Sequence, residues 1–153
     1  MDYDIALAYD PGSRRCDLVF DGTDFAFDTT PATALLISTG TDARALPSDE
    51  LPDFPQPPFN TPTRLDARGG WPGDALDRLG RTIGSRCWVF RRSKQNETVR
   101  RGYAQALADS LAWRQTQLGR VVGIVCDWIA PNTLGSQVVD GATTITLQQA
   151  TGS

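Results

Sequence analysis

Between Asn96 and Gly119 the chain places apolar or small side chains at three- and four-residue intervals: Val99, Tyr103, Ala106, Leu107, Ser110, Leu111 and Leu118. This spacing is one stripe of an amphipathic helix of about six turns. Its apolar side chains are worth burying, so the rest of the chain must supply a layer that covers the stripe. Its ends are marked. Asn96 is a strong N-cap, Glu97 sits in the first turn where the helix dipole favours a carboxylate, and Gly119 stops the helix. Gly102, inside it, costs up to about 1 kcal/mol in helix propensity and predicts a close approach on one side.

The covering layer follows at once. Val121 to Trp128 is β-branched and reads as a core strand, with Gly123 a candidate bulge. After a turn at Pro131-Asn132, Thr133–Val139 and Thr143–Gln149 read as a hairpin around Asp140-Gly141. Ile145 and Leu147 alternate with Thr144, Thr146 and Gln148, so one face is buried and the other wet. The expected class is α+β: a small sheet with packed helices, the long helix at about 96–118 and the C-terminal strands at about 120–149. A chain of 153 residues fits a single domain, with 70–149 as its core.

The N-terminal part is turn-rich. Short strands are expected within 1–29: one at 4–9 closed by Asp10-Pro11-Gly12-Ser13, then a hairpin of 16–20 and 24–28 about Asp21-Gly22. Phe25 and Phe27 alternate with polar or small neighbours, as in a strand with one wet face. Thr30-Pro31 starts a short helix over Ala32–Ser38, with Gly40 as its left-handed stop. Six prolines between Arg44 and Arg68 exclude a helix or central strand there. That loop, 44–68, is expected to be disordered with partial anchoring through Phe54 and Phe59, or else to be an arm that lies across a neighbour.

Composition narrows the chemistry. The chain has no histidine, which removes Ser-His, Cys-His and His-metal sites together. Cys16, Cys87 and Cys126 are odd in number and far apart, a poor zinc or disulfide set, and are expected to be buried and inert. No phosphate-binding loop is present. The only glutamates are Glu50 and Glu97, so no carboxylate pair stands out for sugar hydrolysis. The expectation is a protein that is not an enzyme and needs no cofactor or metal. No apolar run approaches the roughly 20 residues of a membrane span, and the first residues lack a signal-peptide pattern.

The net charge of -3 hides a segregation. Residues 1–63 carry eleven acidic and three basic side chains, while residues 64–120 carry twelve basic and five acidic ones. All but one of the basic residues are arginines, which suit planar, desolvated contacts. Either the two halves pair within the chain, or the basic segment is a docking face. Nucleic acid is disfavoured by the acidic overall balance.

The least generic stretch is 68–92. It holds two of the four tryptophans, five glycines and a dense set of arginines. Trp71-Pro72-Gly73 is a rigid turn, and Asp74 can cap a helix whose face is Leu76, Leu79 and Ile83. Gly84 stops it and Ser85 can cap a further element. The run Arg86-Cys-Trp-Val-Phe-Arg-Arg92 fits strand or helix by periodicity alone.

The segment GGWPGDALDRLGRTIGSRCWVFRR, with the helix ending Ala-Asp-Ser-Leu-Ala-Trp113, resembles the Mu-like phage baseplate family typified by the forty-sixth gene product of phage Mu. Upstream, Asp17-Leu18, Asp24-Phe25, Thr33–Ser38 and Thr41–Arg44 are similar to that family too, so the resemblance covers roughly residues 2–130. The C-terminal hairpin is similar only in pattern. Pro72 replaces a family tryptophan, and the loop at 47–65 is longer and richer in proline.

The resemblance implies a structural part of a contractile tail. It points to a wedge or sheath-initiator protein with helices on a small mixed sheet, held by a larger wedge subunit and close to tail sheath or tube subunits. It also implies a short helix for 85–92 and a virion location after assembly in the host cytoplasm. Some relatives carry a lysozyme-like label, so a small cell-wall hydrolase is the alternative. Under the docking reading Arg78, Arg81, Arg86, Arg91 and Arg92 pair with acidic groups on a neighbour, with Trp71 and Trp88 as anchors. The other reading makes the tryptophans core and Arg86 an internal salt bridge. Ile145 and Leu147 mark a last strand whose edge can pair with a sheath subunit.

Overall fold

The computed structural model describes residues 4–10, 12–13, 15–52 and 68–152. Its centre is the long helix α2 (Glu97–Leu118), bounded as the sequence dictates. The Asn96 side chain accepts from the Val99 amide at 2.8 Å. Gly119 adopts φ 64°, and the amides of Gly119 and Arg120 close back on Gln115 and Arg114. A left-handed residue here satisfies carbonyls that the helix leaves open.

The sheet beside α2 is a three-stranded antiparallel meander of β5 (Gly123–Ala130), β6 (Thr133–Asp140) and β7 (Thr143–Ala150). Two-residue turns set the register: Pro131-Asn132, with Asn132 at φ 53°, and Gly141-Ala142, with Gly141 at φ 61°. The bulge lies at Trp128/Ala130, so Gly123 is not the irregular position. The named strand pairs are all antiparallel, whereas the resemblance implied a mixed sheet. The parallel element among the described residues is an isolated bridge between Asp42 and Ser85.

One face of the sheet packs on α2. Tyr103, Ala106 and Leu107 meet Cys87, Cys126 and Leu134. One turn further on, Leu111 meets Leu35, Val138 and Ile145. Each such side chain contributes roughly 1.5–3 kcal/mol when fully buried. Gly102 sits where Phe90 crosses the helix: a Cβ there would lie 2.9 Å from the Phe90 ring. The predicted close approach is real.

The second helix, α1 (Ala32–Gly40), packs on both α2 and the sheet through Leu35. Its N-terminus is held chiefly by Asp28, which accepts from the Thr30 and Thr33 amides and the Thr30 hydroxyl. Thr30 itself accepts only from Ala32, at 3.2 Å. Gly40 stays inside the helix, and Thr41 ends it by donating its amide to Ile37. Thr33 is fully buried; its hydroxyl donates to the Ile5 carbonyl and accepts from the Leu7 amide, fixing α1 to the N-terminal strands.

Those strands are shorter than expected and interrupted. β1 (Asp4–Ile5) pairs with β4 (Phe27–Asp28), and β2 (Leu7–Asp10) with β3 (Arg15–Leu18). Between the pairs the chain leaves as a small tongue, closed by a bridge between Phe20 and Phe25. Phe27 is 68% exposed, so Phe25 and Phe27 do not share one buried face.

The first part of the proline-rich connection is well packed. Ala43, Ala45 and Leu51 are buried, and the Ala45 amide donates to the Arg68 carbonyl. Leu51 and Ala45 supply the anchoring; Phe54 and Phe59 lie outside the described residues.

Candidate functional site

The stretch 68–92 folds as two 3-10 turns, Pro72–Leu76 and Arg86–Phe90, joined by irregular chain. The second confirms the helical reading of that run. Ser85 caps it by accepting from the Cys87 amide at 3.0 Å. Gly84, at φ 102°, cannot be replaced: a Cβ would lie 2.3 Å from the Thr41 carbonyl oxygen. That contact lets the chain run beside 41–43, where Ser85 donates to Thr41 and Ala43 donates to Ser85.

A helix from Asp74 through Ile83 does not form. Asp74 accepts from the Ile83 amide at 3.0 Å, and Asp77 accepts from the Leu79 and Arg81 amides. These side-chain bonds compete with helical ones and fold the segment into turns. Leu76 and Leu79, expected to share a buried face, are 84% and 74% exposed.

The two tryptophans part company. Trp88 is buried; its indole N–H donates to the Ala43 carbonyl at 2.7 Å, and its ring closes over Gly69. It is core, and cannot anchor a partner. Trp71 is 48% exposed, its ring lying against Gly73.

The arginines are mostly engaged within the chain. Arg86 donates to Asp49 at 3.1 Å and to Asp109 at 2.8 Å, tying the packed loop to α2. Arg81 grips Asp77 through two bonds of 2.9 and 3.1 Å. Arg91 makes a looser, exposed contact with Asp42 at 3.3 Å, and Arg92 donates to the Pro52 carbonyl. Arg78 is exposed and has no ion pair among the described residues. Of the five arginines, Arg78 and the weakly held Arg91 are therefore the ones most open to a neighbour.

Ile145 is 9% exposed and Leu147 packs beside the core, so neither side chain is offered outward. What β7 does offer is its edge. No backbone bond among the described residues reaches it from outside the sheet. On the opposite edge, the Cys126 carbonyl of β5 is taken by Arg100 at 2.7 Å.

Arg114 escaped the sequence reading. It is 5% exposed and bonds to Asp140, itself 3% exposed. The signal was present, since Arg114 lies three residues beyond Leu111 on the apolar stripe. A charge in that position needs a buried partner.

The shifted carboxylates all move the same way. Hydrogen bonds from Arg81 hold Asp77 down at about 2, and those from Arg100 and Arg101 hold Glu97 at about 2. Asp10 and Asp21 are lowered by turn donors, and in Asp28 such bonds outweigh an opposing effect of burial. A general acid for glycoside cleavage needs the opposite shift. Burial pushes the Cys87 thiol up to about 12 and that of Cys126 to about 11. Cys16, expected to be buried, is exposed on β3.

Comparison with known proteins gives a clear result. The chain matches a family described as "Phage protein GP46" over residues 31–153. It is 39% identical over 124 residues to the protein named "Baseplate protein gp46" of Escherichia phage Mu, covering 79% of this chain and 73% of that one. The family match includes the C-terminal hairpin, where the motif resemblance was one of pattern alone, and begins after the N-terminal strands. No solved structure matches.

Proposed function

The chain belongs to the phage protein GP46 family, and on that footing we propose that it is a structural component of a phage tail baseplate, carried in the virion. The observation that carries this reading is its likeness, over most of both chains, to a protein named for the baseplate. In finer terms it is a wedge or sheath-initiator subunit of a contractile tail, assembled in the host cytoplasm and held by a larger wedge protein.

Two surfaces support the assembly role. The first is the exposed turn segment carrying Trp71, Leu76, Arg78 and Leu79. Apolar side chains this exposed, beside an arginine, suit an interface whose centre is dry and whose rim is charged. The second is the β7 edge, which can take a strand from a sheath subunit through main-chain bonds. Truncating the chain after Asp140 would not isolate the edge, because it removes Ile145 from the core.

A proline at Thr146 is better. With a two-residue turn closing at Asp140–Thr143, the amides of Thr144 and Thr146 point away from β6. Thr146→Pro is expected to leave the fold intact and the baseplate formed while stopping sheath assembly. Sheathed tails carrying that variant would rule the edge out. The baseplate role itself is tested by mass spectrometry of purified tails, where the protein must be present. The hydrolase alternative predicts clearing on a peptidoglycan zymogram, and none is expected.

A further inference from the structure

The turn segment 71–84 does not lie flat on the helices. It stands over α1 and α2 and encloses a groove of about 580 Å³. Ile37 and Trp113 form the helical side, and Trp71, Leu76 and Ile83 the opposite wall. The walls are set. Trp113 donates its indole N–H to Ser38 at 3.0 Å, and Ile83 is held by the Asp74 carboxylate. Leu76 is the most exposed large apolar side chain among the described residues, so the groove is open and unfilled.

The charges around it are uneven. Asp4, Asp74, Asp77 and Arg81 line the groove, and Arg81 is bonded to Asp77 through Nε and Nη2. Asp4 and Asp74 have no cationic partner among the described residues. One oxygen of Asp74, Oδ2, is shielded from solvent and accepts no hydrogen bond. The Asp74 carboxylate thus has the Ile83 amide as its donor and no cation of its own among the described residues, so a basic side chain entering the groove meets no competing partner there. A second hollow of about 600 Å³ continues past Trp113, lined by Asp4 and Asp28 but also by Arg120. The selective part is the first.

We propose that this groove is the seat of a segment from another tail protein that inserts an apolar side chain between Trp71 and Trp113 and sets a lysine or arginine against Asp74 and Asp4. The inference rests on the baseplate reading and deepens it. It also inverts the charge expected from sequence, because the partner brings the cation and this chain the carboxylates. The volume suits one or two side chains with their backbone. The exposed leucines are then explained as surface that is covered on assembly.

The test uses the full chain in assembled tails. Leu76 is replaced by p-benzoylphenylalanine, the purified tails are irradiated, and the joined peptide is sequenced. The expected product links this chain to a different tail protein, at an apolar side chain within about four residues of a lysine or arginine. Asp74→Asn, which keeps the acceptor for Ile83, and Asp4→Lys, whose carboxylate bonds only to its neighbour Ile5, are each expected to lower crosslinking about tenfold. A product with a second copy of this chain overturns the assignment. So does a product at a segment without a basic residue, unchanged yield in both variants, or no product in tails that contain the protein. Each of those outcomes leaves the baseplate role standing. Tails that lack the protein altogether overturn both.

Discussion

The guanidinium of Arg114, near the end of α2, donates to the carboxylate of Asp140 at the β6–β7 turn, and both side chains are almost wholly buried. The pair therefore fixes the hairpin against the helix from inside the core. Arg114 also lies against the Trp113 ring, 5.1 Å from its centroid, and keeps one unmatched N–H at Nε.

Removing one partner leaves a buried charge alone. Asp140→Asn or Arg114→Met is expected to cost about 3–5 kcal/mol in chemical unfolding. The double replacement Arg114→Met with Asp140→Leu is expected to recover most of that loss, since apolar side chains of similar volume need no partner. A double variant as unstable as either single one would show that the pair does more than neutralise itself.

Arg86 bridges Asp49 and Asp109 with its side chain 22% exposed. Arg86→Ala is expected to lower stability by about 1–2 kcal/mol, after allowance for solvent screening. The loss should appear first as faster amide exchange in 43–51, whose packing the bridge secures. An equal loss in Arg78→Ala, a side chain without such bonds, would contradict this account.

Asp28 carries the N-terminus of α1. Burial alone would raise its carboxyl, but bonds from Thr30 and Thr33 hold it below its ordinary value of 3.8. A folded-state pKa below the unfolded one means stability present above about pH 4 and lost as the pH falls through the folded value. Asp28→Ala is expected to cost about 0.5–2 kcal/mol at pH 7. It should also flatten the acid limb of a stability profile below about pH 4, read by thermal melting.

The thiols separate by burial. At pH 8 in the native state, Cys16 is expected to react with a thiol reagent while Cys87 and Cys126 do not. Denaturation should release the other two. Because the folded-state values of Cys87 and Cys126 lie near 12 and 11, above the ordinary 9.0, stability is present below pH 9 and declines as the pH rises through that window. Peptide mapping of the labelled protein checks the assignment.

The structure of 68–92 shows where reading by sequence stops. Ser85 and Gly84 were legible as a cap and a break, because both act on atoms within two or three residues. Trp71 and Trp88 were not separable, since the same residue type serves core and surface. The difference lies in Ala43 and Gly69, which bury Trp88 from distant parts of the chain. Leu76 and Leu79 had helical spacing, yet the Asp74 and Asp77 side chains captured the amides that a helix would have used.

What the sequence determined by itself was α2, the two tight turns of the meander, the α+β class, and, through the motif at 69–92, the family. Each rests on short-range physics: apolar period, a capping amide, a glycine at positive φ, or side-chain alternation. Only the tertiary structure decided which charges meet. Arg86 with Asp49 and Asp109, and Arg114 with Asp140, join residues 23–37 positions apart. Pairing at that range leaves no local pattern, because it depends on how helix, sheet and loop come together. The same assembly turned a basic stretch into one whose open groove carries unmatched carboxylates.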